Sequence, residues 1–327
     1  MRYVVVGAGA VGGTIGGRLH QSGADVLLVA RGEHAAVMRR DGLRLVRPGA
    51  DDVLAVAVET EVARLRLAPD DVVLLAVKSQ DTPGVLADLV RAGLAPDQPV
   101  VCAQNGVSNE LLALRVTSRV HGVRVWLPAS SPRPGVVVAQ GAPMSGNLDL
   151  GRFPSGTDAT SEAVAADLER SGFVARPDPD VMRWKRGKLL ANLGNGVEAL
   201  CGPEADASDL LAAAREEARR CFAAAGLDWP SREEEVARRG DQVELVDLPD
   251  WPRGGGSTWQ SVTKGATSTE VDHLNGEVVL LGRLHDVPTP VNAAVQALVH
   301  DLVRRGGRPG DVTVDDVRRS AQTLRKL

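Results

Sequence analysis

Along the first third of the chain the apolar positions change their period. Tyr3–Val6 is a continuous apolar run, Val11–Gln21 spaces its apolar residues as a helix does, and Asp25–Ala30 is a second run after a Ser22-Gly23 stop. That order predicts a βαβ unit. Residues 71–77 (DVVLLAV) and 99–103 (PVVCA) repeat the unbroken pattern of parallel strands covered on both faces, so a doubly wound sheet is predicted. Leu43–Val46 and Val53–Val58 flank Pro48-Gly49 and predict a hairpin after a short helix. Strand-like pieces broken by Pro and Gly between Val120 and Leu150 predict the far edge of the sheet. Beyond Arg176-Pro177-Asp178-Pro179 the pattern becomes helical, over 181–200, 208–225, 231–239, 268–284 and 289–305. The fold class expected is α/β: an N-terminal Rossmann dinucleotide-binding domain over 1–178 and an all-helical C-terminal domain over 179–327 that carries the substrate and catalytic side.

Composition narrows the partners. With 38 Lys+Arg against 42 Asp+Glu the net charge is −4, which supplies no positive field for phosphate backbone or anionic lipid. Nucleic acid and membrane are therefore not expected as partners. Cys102, Cys201 and Cys221 form no CxxC pair and have no His at ligand spacing, so neither a metal site nor a disulfide framework is expected. Buried thiols in a reducing cytoplasm are the simpler reading. The chain opens Met1-Arg2-Tyr3 directly into a strand, and no apolar run reaches the roughly 18 residues of a membrane span, so a cytoplasmic location is expected. Only five of the 38 basic residues are lysines, which draws attention to any lysine among apolar neighbours.

Gly7-Ala8-Gly9-Ala10-Val11-Gly12 is GxGxxG between a strand and a helix. The first glycine permits the tight turn, the second lets a pyrophosphate approach the backbone, and the third lets helix pack on strand, while the helix start offers free N–H groups. The second strand should end in an acid if a ribose 2′-hydroxyl is bound, but Val29-Ala30 is followed by Arg31. An arginine there suits a 2′-phosphate, so NADPH/NADP is the cofactor expected. Lys78 closes the run 72–77, at the strand end that borders the cofactor crevice, and Gln104-Asn105-Gly106 follows the next strand in the same way.

In the helical half, Lys188, Asn192 and Asn195 fall at i, i+4 and i+7 on one helix stripe. Asparagine and the nearby Gly194 and Gly196 are poor helix formers. Two readings stand at this point: a solvated polar stripe, or polar groups lining a cleft. Glu270 follows Thr267 by three residues, the spacing of a capping box, and could equally serve a site. Ser257, after the flexible loop Gly254-Gly255-Gly256, reads either as an N-cap or as a ligand contact.

Taken together, GAGAVG, VLLVARG with Arg31, LLAVKSQDT with Lys78, QNG with Asn105, KLLAN with Lys188 and Asn192, and GSTWQS followed by TEVDHLNG resemble the ketopantoate reductase family over essentially the whole chain. The resemblance implies a Rossmann domain for NADPH, a helical domain of the 6-phosphogluconate dehydrogenase C-terminal type, and reduction of 2-dehydropantoate to pantoate, a step toward pantothenate. It implies Lys188 as the general acid and Glu270 as acceptor of the substrate hydroxyl. It implies Asn105, Asn192, Asn195 and Ser257 as contacts that orient cofactor and substrate. Three departures stand out. Asn195 follows Asn192 by three residues rather than four, Gly196 stands where proline is common, and Glu198-Ala199-Leu200 replaces Thr-Ala-Leu. Glu198 is expected to point away, toward the packing at Ala199-Leu200. A small 2-keto acid is the expected substrate, with a related reductase of specialised metabolism or an NADP-responsive regulator as the rival readings. The sequence leaves the oligomeric state open, a homodimer among the forms expected.

Overall fold

In the computed structural model, which describes residues 1–252 and 254–325, the chain divides into two compact units. One comprises Met1–Lys185 and Ser231–Arg253, the other Arg186–Pro230 and Gly254–Leu327. The division thus falls after Lys185 rather than after Asp178, and 231–253, read from sequence with the helical half, joins the first unit.

The first unit starts with β1 (Arg2–Val6), α1 (Ala10–Gln21), β2 (Asp25–Val29) and α2 (Gly32–Asp41). The hairpin β3 (Leu43–Arg47) and β4 (Ala50–Leu54) follows, turning at Pro48-Gly49 with Gly49 at φ +74°. The strand expected over Val53–Val58 splits in two, because β5 (Ala57–Glu59) leaves the hairpin to pair with β2. Then come β6 (Asp71–Leu75), α3 (Thr82–Arg91), β7 (Val100–Cys102), α4 (Asn109–Ala113) and β8 (Val120–Trp126). After them lie β9 (Ala129–Ser130), β10 (Val136–Ala139), β11 (Gly141–Pro143), β12 (Asn147–Arg152) and α5 (Ala159–Arg170).

Seven strands form the main sheet in the order β12-β8-β7-β6-β1-β2-β5, parallel except for β12 against β8. β6 is buried along its whole length and β1 after its first residue, as their unbroken apolar sequences require. Because β1 lies between β2 and β6, the winding direction reverses there, and ligands of such sheets bind outside the carboxyl ends at that point. Register brings those ends level: Val6 pairs with both Val29 and Leu75, and Leu75 with Cys102. A smaller sheet, β4-β3-β10-β9, holds the hairpin.

α6 (Val181–Asn192) carries the division between the units. The second unit continues with α7 (Gly194–Cys201) and α8 (Ser208–Ala224), and the chain then returns to the first unit for α9 (Arg232–Arg239) and β13 (Val243–Leu245). α9 buries none of its residues and is held by charge. Glu234 pairs with Arg183 at 2.8 Å, Glu235 with Arg124, and Arg238 with Asp149 at 2.8 Å and with Asp178. Asp178, read from sequence as the domain boundary, is a nearly buried anchor of this cluster, and β13 extends the hold by pairing with β11. The last helices are α10 (Ser257–Thr263), α11 (Asn275–Leu284), α12 (Pro290–Arg304) and α13 (Val314–Leu324).

A buried histidine gives the first unit a pH dependence. His121, on β8, is fully buried, with Nε2 2.9 Å from Asp158 Oδ1. Asp158 also caps α5 by accepting the Ser161 N–H at 2.9 Å. His121 Nδ1 has no hydrogen-bond partner among the described residues, so a proton added there would be buried without an acceptor. Burial, opposed in part by Asp158, lowers the imidazole from its ordinary value. The unfolded chain therefore takes up that proton first as pH falls through about 6.5, and the stability involved is complete above that pH and lost below it. The thermal midpoint is expected to fall between pH 7 and pH 5.5, before most carboxylates titrate, and His121→Gln should flatten this fall. An equally steep fall in the variant would place its origin elsewhere.

Candidate active site

The glycine turn after β1 is open where a phosphate would need it and closed elsewhere. Gly7, at φ +101°, donates to Val29 O at 2.9 Å, and a Cβ on it would lie 2.7 Å from Val77 N. A Cβ on Gly12 would lie 2.1 Å from Gly7 O, so both positions exclude side chains. At Gly9 no atom lies within 4 Å of the corresponding point. Gly9 caps α1 without a side-chain bond, and the first turn, Ala10 and Val11 included, carries no acid. Exposed amides at a helix start beside an empty backbone approach fit a dinucleotide pyrophosphate. His34, which the sequence reading passed over, pins this turn: its Nδ1 accepts the Gly135 N–H at 2.9 Å, so its Nε2 donates to Ala8 O at 2.7 Å.

Arg31 caps α2 beyond the end of β2 and is 75% exposed, its Nη2 3.1 Å from Asp81 Oδ2. Such an exposed pair is worth about 1 kcal/mol at most, so it yields readily to a stronger anion. Lys78 is half-buried at the start of a 3-10 turn, Ser79–Asp81, that follows β6. A buried polar network joins this loop to the Asn105 loop after β7. Gln104 Nε2 donates to Val77 O at 2.9 Å and to Thr82 Oγ1 at 2.8 Å, and Thr82 donates to Asn109 Oδ1 at 2.9 Å. Asn109 Nδ2 in turn donates to Ser79 Oγ at 3.0 Å and Asn105 O at 3.1 Å. Lys78 and Asn105 are thereby carried on loops fixed to each other.

Two lysines three residues apart on α6 meet different fates. Lys185 is 3% exposed, donates to Gln104 O at 2.8 Å and Val123 O at 3.1 Å, and lies 2.8 Å from Glu110 Oε1. Every direction of its ammonium is committed within the first unit. Lys188 is half-exposed and shares its face of α6 with Asn192.

In the second unit, α6 is interrupted at Leu193 and α7 resumes with Asn195 and Glu198 one turn apart. Asn195 Nδ2 donates to Ser257 Oγ at 3.2 Å, and Glu198 Oε2 accepts the Gly256 N–H at 2.6 Å. Glu198 therefore faces the start of α10 and not, as expected from sequence, the packing at Ala199-Leu200, because its i, i+3 relation to Asn195 turns both toward α10. Gly196 is explained by contact: a Cβ there would lie 2.5 Å from Val295 Cγ1 and 2.9 Å from Asn275 Oδ1. Ser257 is not an N-cap, since Gly256 holds that position. Glu270, 4% exposed, opens a 3-10 turn capped by Thr269, so the capping box expected with Thr267 does not form. Asn192 is 6% exposed, and its Nδ2 has no hydrogen-bond partner among the described residues. The same holds for Thr258 Oγ1, a hydroxyl that sequence reasoning missed although it adjoins Ser257. Buried donors left in this condition are uncommon and suit a ligand that completes them.

Sequence profiles agree with this arrangement. The profile of ketopantoate reductase PanE/ApbA matches residues 3–155, and that of its C-terminal part residues 180–303. The chain belongs to the ketopantoate reductase family. A 2-dehydropantoate 2-reductase of Halobacterium salinarum is 30% identical over 95% of this chain and 100% of its own. That of Pyrococcus horikoshii is 27% identical over 94% and 99%. A ketopantoate reductase structure from Ralstonia eutropha superposes with a TM-score of 0.77 at 27% identity, covering 94% of this chain and 99% of the other. D-Mandelate dehydrogenase with NADH and anilino(oxo)acetate has the same fold, with a TM-score of 0.80 at 23% identity over 94% and 99%. The family fold, a parallel-sheet N-terminal domain with a helical C-terminal domain, is the one read from the sequence, and its members are oxidoreductases.

The two lysines should separate in stability. Removing Lys185 strands the buried Glu110 carboxylate, a loss of about 3–5 kcal/mol, whereas a partly exposed Lys188 should cost less than about 1 kcal/mol. Urea unfolding of Lys185→Met and Lys188→Met measures the difference. Equal midpoints would mean that the Lys185–Glu110 pair contributes nothing to the fold.

Proposed function

We propose that the chain catalyses NADPH-dependent reduction of 2-dehydropantoate to pantoate in the cytoplasm, with Lys188 as the general acid. The observation that supports this reading is Asn192: a buried side chain whose Nδ2 has no hydrogen-bond partner among the described residues, on the same helix face as Lys188, which is half-exposed where Lys185 is buried. NADPH, when bound, supplies the hydride. Gly7, Gly9, Ala10, Val11 and Gly12 would receive its pyrophosphate, Arg31 its 2′-phosphate, and Lys78 and Asn105 would orient its reacting end. As negative charge grows on the ketone oxygen, Lys188 gives that oxygen its proton, and Glu270 accepts the substrate's hydroxyl hydrogen bond. Asn192, Asn195 and Ser257 hold the acid in place, with Ser257 toward its carboxylate. Donors fixed in advance in this way stabilise a developing alkoxide without reorganisation.

One observation favours a second reading, a reductase of another 2-keto acid. The carboxylate of Glu198 is held on the Gly256 N–H, directly before Ser257. Competition decides between them. Ketopantoate is expected to be reduced with a much higher kcat/KM than 2-ketoisovalerate, which lacks the hydroxyl, because a site built for a hydroxyl rejects analogues without it by large factors. Glu270→Gln should narrow that preference. Equal use of both acids would remove ketopantoate as the substrate while leaving the family untouched.

Two further variants test the roles. Arg31→Ala should weaken NADPH more than NADH by about 1–3 kcal/mol, the worth of a charge-assisted bond. Equal weakening, measured by fluorescence titration, would separate Arg31 from the 2′-phosphate. Lys188→Ala should lower kcat by about 10²–10⁴ while NADPH binding persists. Wild-type turnover in that variant would rule Lys188 out as the acid.

A further inference from the structure

The segment that leads into α10 is held by the part of α7 where this chain departs from its family. Glu198 Oε2 takes the Gly256 N–H at 2.6 Å, and Asn195 Nδ2 reaches Ser257 Oγ at 3.2 Å. Gly256 has φ −62° and ψ 180°, an ordinary extended conformation, so its backbone does not require glycine. Space does: a Cβ there would lie 2.6 Å from Asn195 Oδ1 and 2.9 Å from Glu198 Oε2. Cβ atoms on Gly254 and Gly255 would lie 2.2 Å and 2.7 Å from the Trp259 ring. The three glycines, read from sequence as a flexible loop, are thus a packed turn pressed against an indole on one side and two α7 side chains on the other. Directly after it come Ser257 and Thr258, the latter's hydroxyl buried with no hydrogen-bond partner among the described residues. A carboxylate accepting a single backbone N–H at this distance makes a strong charge-assisted bond.

We infer that Glu198 is a positioning residue: by holding the Gly256 amide it fixes the first turn of α10 and sets where Ser257 and Thr258 present their hydroxyls to the 2-keto acid. This rests on the reductase reading above, but it assigns Glu198 a role distinct from that of a charge facing the substrate. The glutamate on α7 and the glycine before α10 are the two halves of a latch.

Glu198→Ala, Glu198→Gln and Gly256→Ala, made in the full chain, test the latch. Glu198→Ala and Gly256→Ala are expected to raise the KM for ketopantoate about tenfold or more, with kcat and the Kd for NADPH within about twofold, as for a lost bond that orders only the substrate side. Hydrogen exchange across residues 254–260 should quicken in both. Glu198→Gln keeps an acceptor oxygen and should recover most of both effects. Unchanged exchange in Glu198→Ala would overturn the latch. Faster exchange with an unchanged KM would overturn its service to the substrate, and so would parallel losses of KM and NADPH affinity. If the wild type reduces no 2-keto acid, the functional reading falls separately, and the latch stands or falls on exchange alone.

Discussion

A buried run of side-chain amides and hydroxyls determines where the loops of the dinucleotide half come to rest. The parallel register only brings the ends of β1, β6 and β7 level. Gln104, Thr82, Asn109 and Ser79 then bind the two loops to each other, and a donor or acceptor orphaned inside such a network costs about 1–3 kcal/mol. Lys185 secures the same loop from behind, through Gln104 O and Glu110. The geometry around Lys78 and Asn105 is consequently set by this buried network.

The second unit uses the same means around a carboxylate. Glu217, on α8, accepts the Val291 N–H at 2.9 Å, the Asn292 N–H at 3.0 Å and Asn292 Nδ2 at 2.8 Å, covering the start of α12. Burial pushes the pKa of its carboxyl up, and these donors oppose the rise. Asn292 Oδ1 accepts from Asn275 Nδ2 at 3.0 Å, which also donates to Leu193 O at 3.2 Å, at the interruption between α6 and α7. The break between Asn192 and Asn195 thus has its Leu193 carbonyl taken up by a buried side chain. Gly196, pressed on Asn275 and Val295, belongs to the same adjustment.

Much of this was legible in the residues. The βαβ unit, the glycine turn and the buried parallel strands follow from period and turn chemistry, because those signals are local. Misreadings came where a distant partner decided. Asp178 and the segment 231–253 look like domain-boundary and helical-domain sequence, yet ion pairs with Arg238, Arg124 and Arg183 tie them into the first unit. β13 is three residues long and exists because β11 lies beside it. Thr267 and Glu270 have capping-box spacing, but Thr269 takes the cap, since the turn that forms is a tighter 3-10 one. Thr313 and Asp316 do form such a box at the start of α13, a helix whose signal was present and passed over. Among the site residues, Glu198 was noticed for its charge and misplaced in direction, because helix spacing says which residues share a face but not which face meets a neighbour.

The scarcity of lysine acquires a physical meaning at Lys185. The pocket around its ammonium is formed by two carbonyl oxygens and a carboxylate converging on one point, and a Cβ on Gly122 would come within 3.3 Å of its Cδ. A guanidinium is planar and spreads its five donors in a fork, so it cannot satisfy three acceptors around a single centre without leaving others buried and unmatched. Arginine serves this chain wherever a flat face or a paired carboxylate is available, as over Trp184 and Trp251 or between Asp149 and Asp178. A compact charge is retained where acceptors converge. Proton donation to a single ketone oxygen makes the same demand and adds another: arginine does not give up its proton near neutral pH, whereas a partly desolvated lysine can. Of the two lysines of α6, Lys185 meets the first demand among converging buried oxygens, and Lys188, half-exposed three residues on, is the one we propose meets the second.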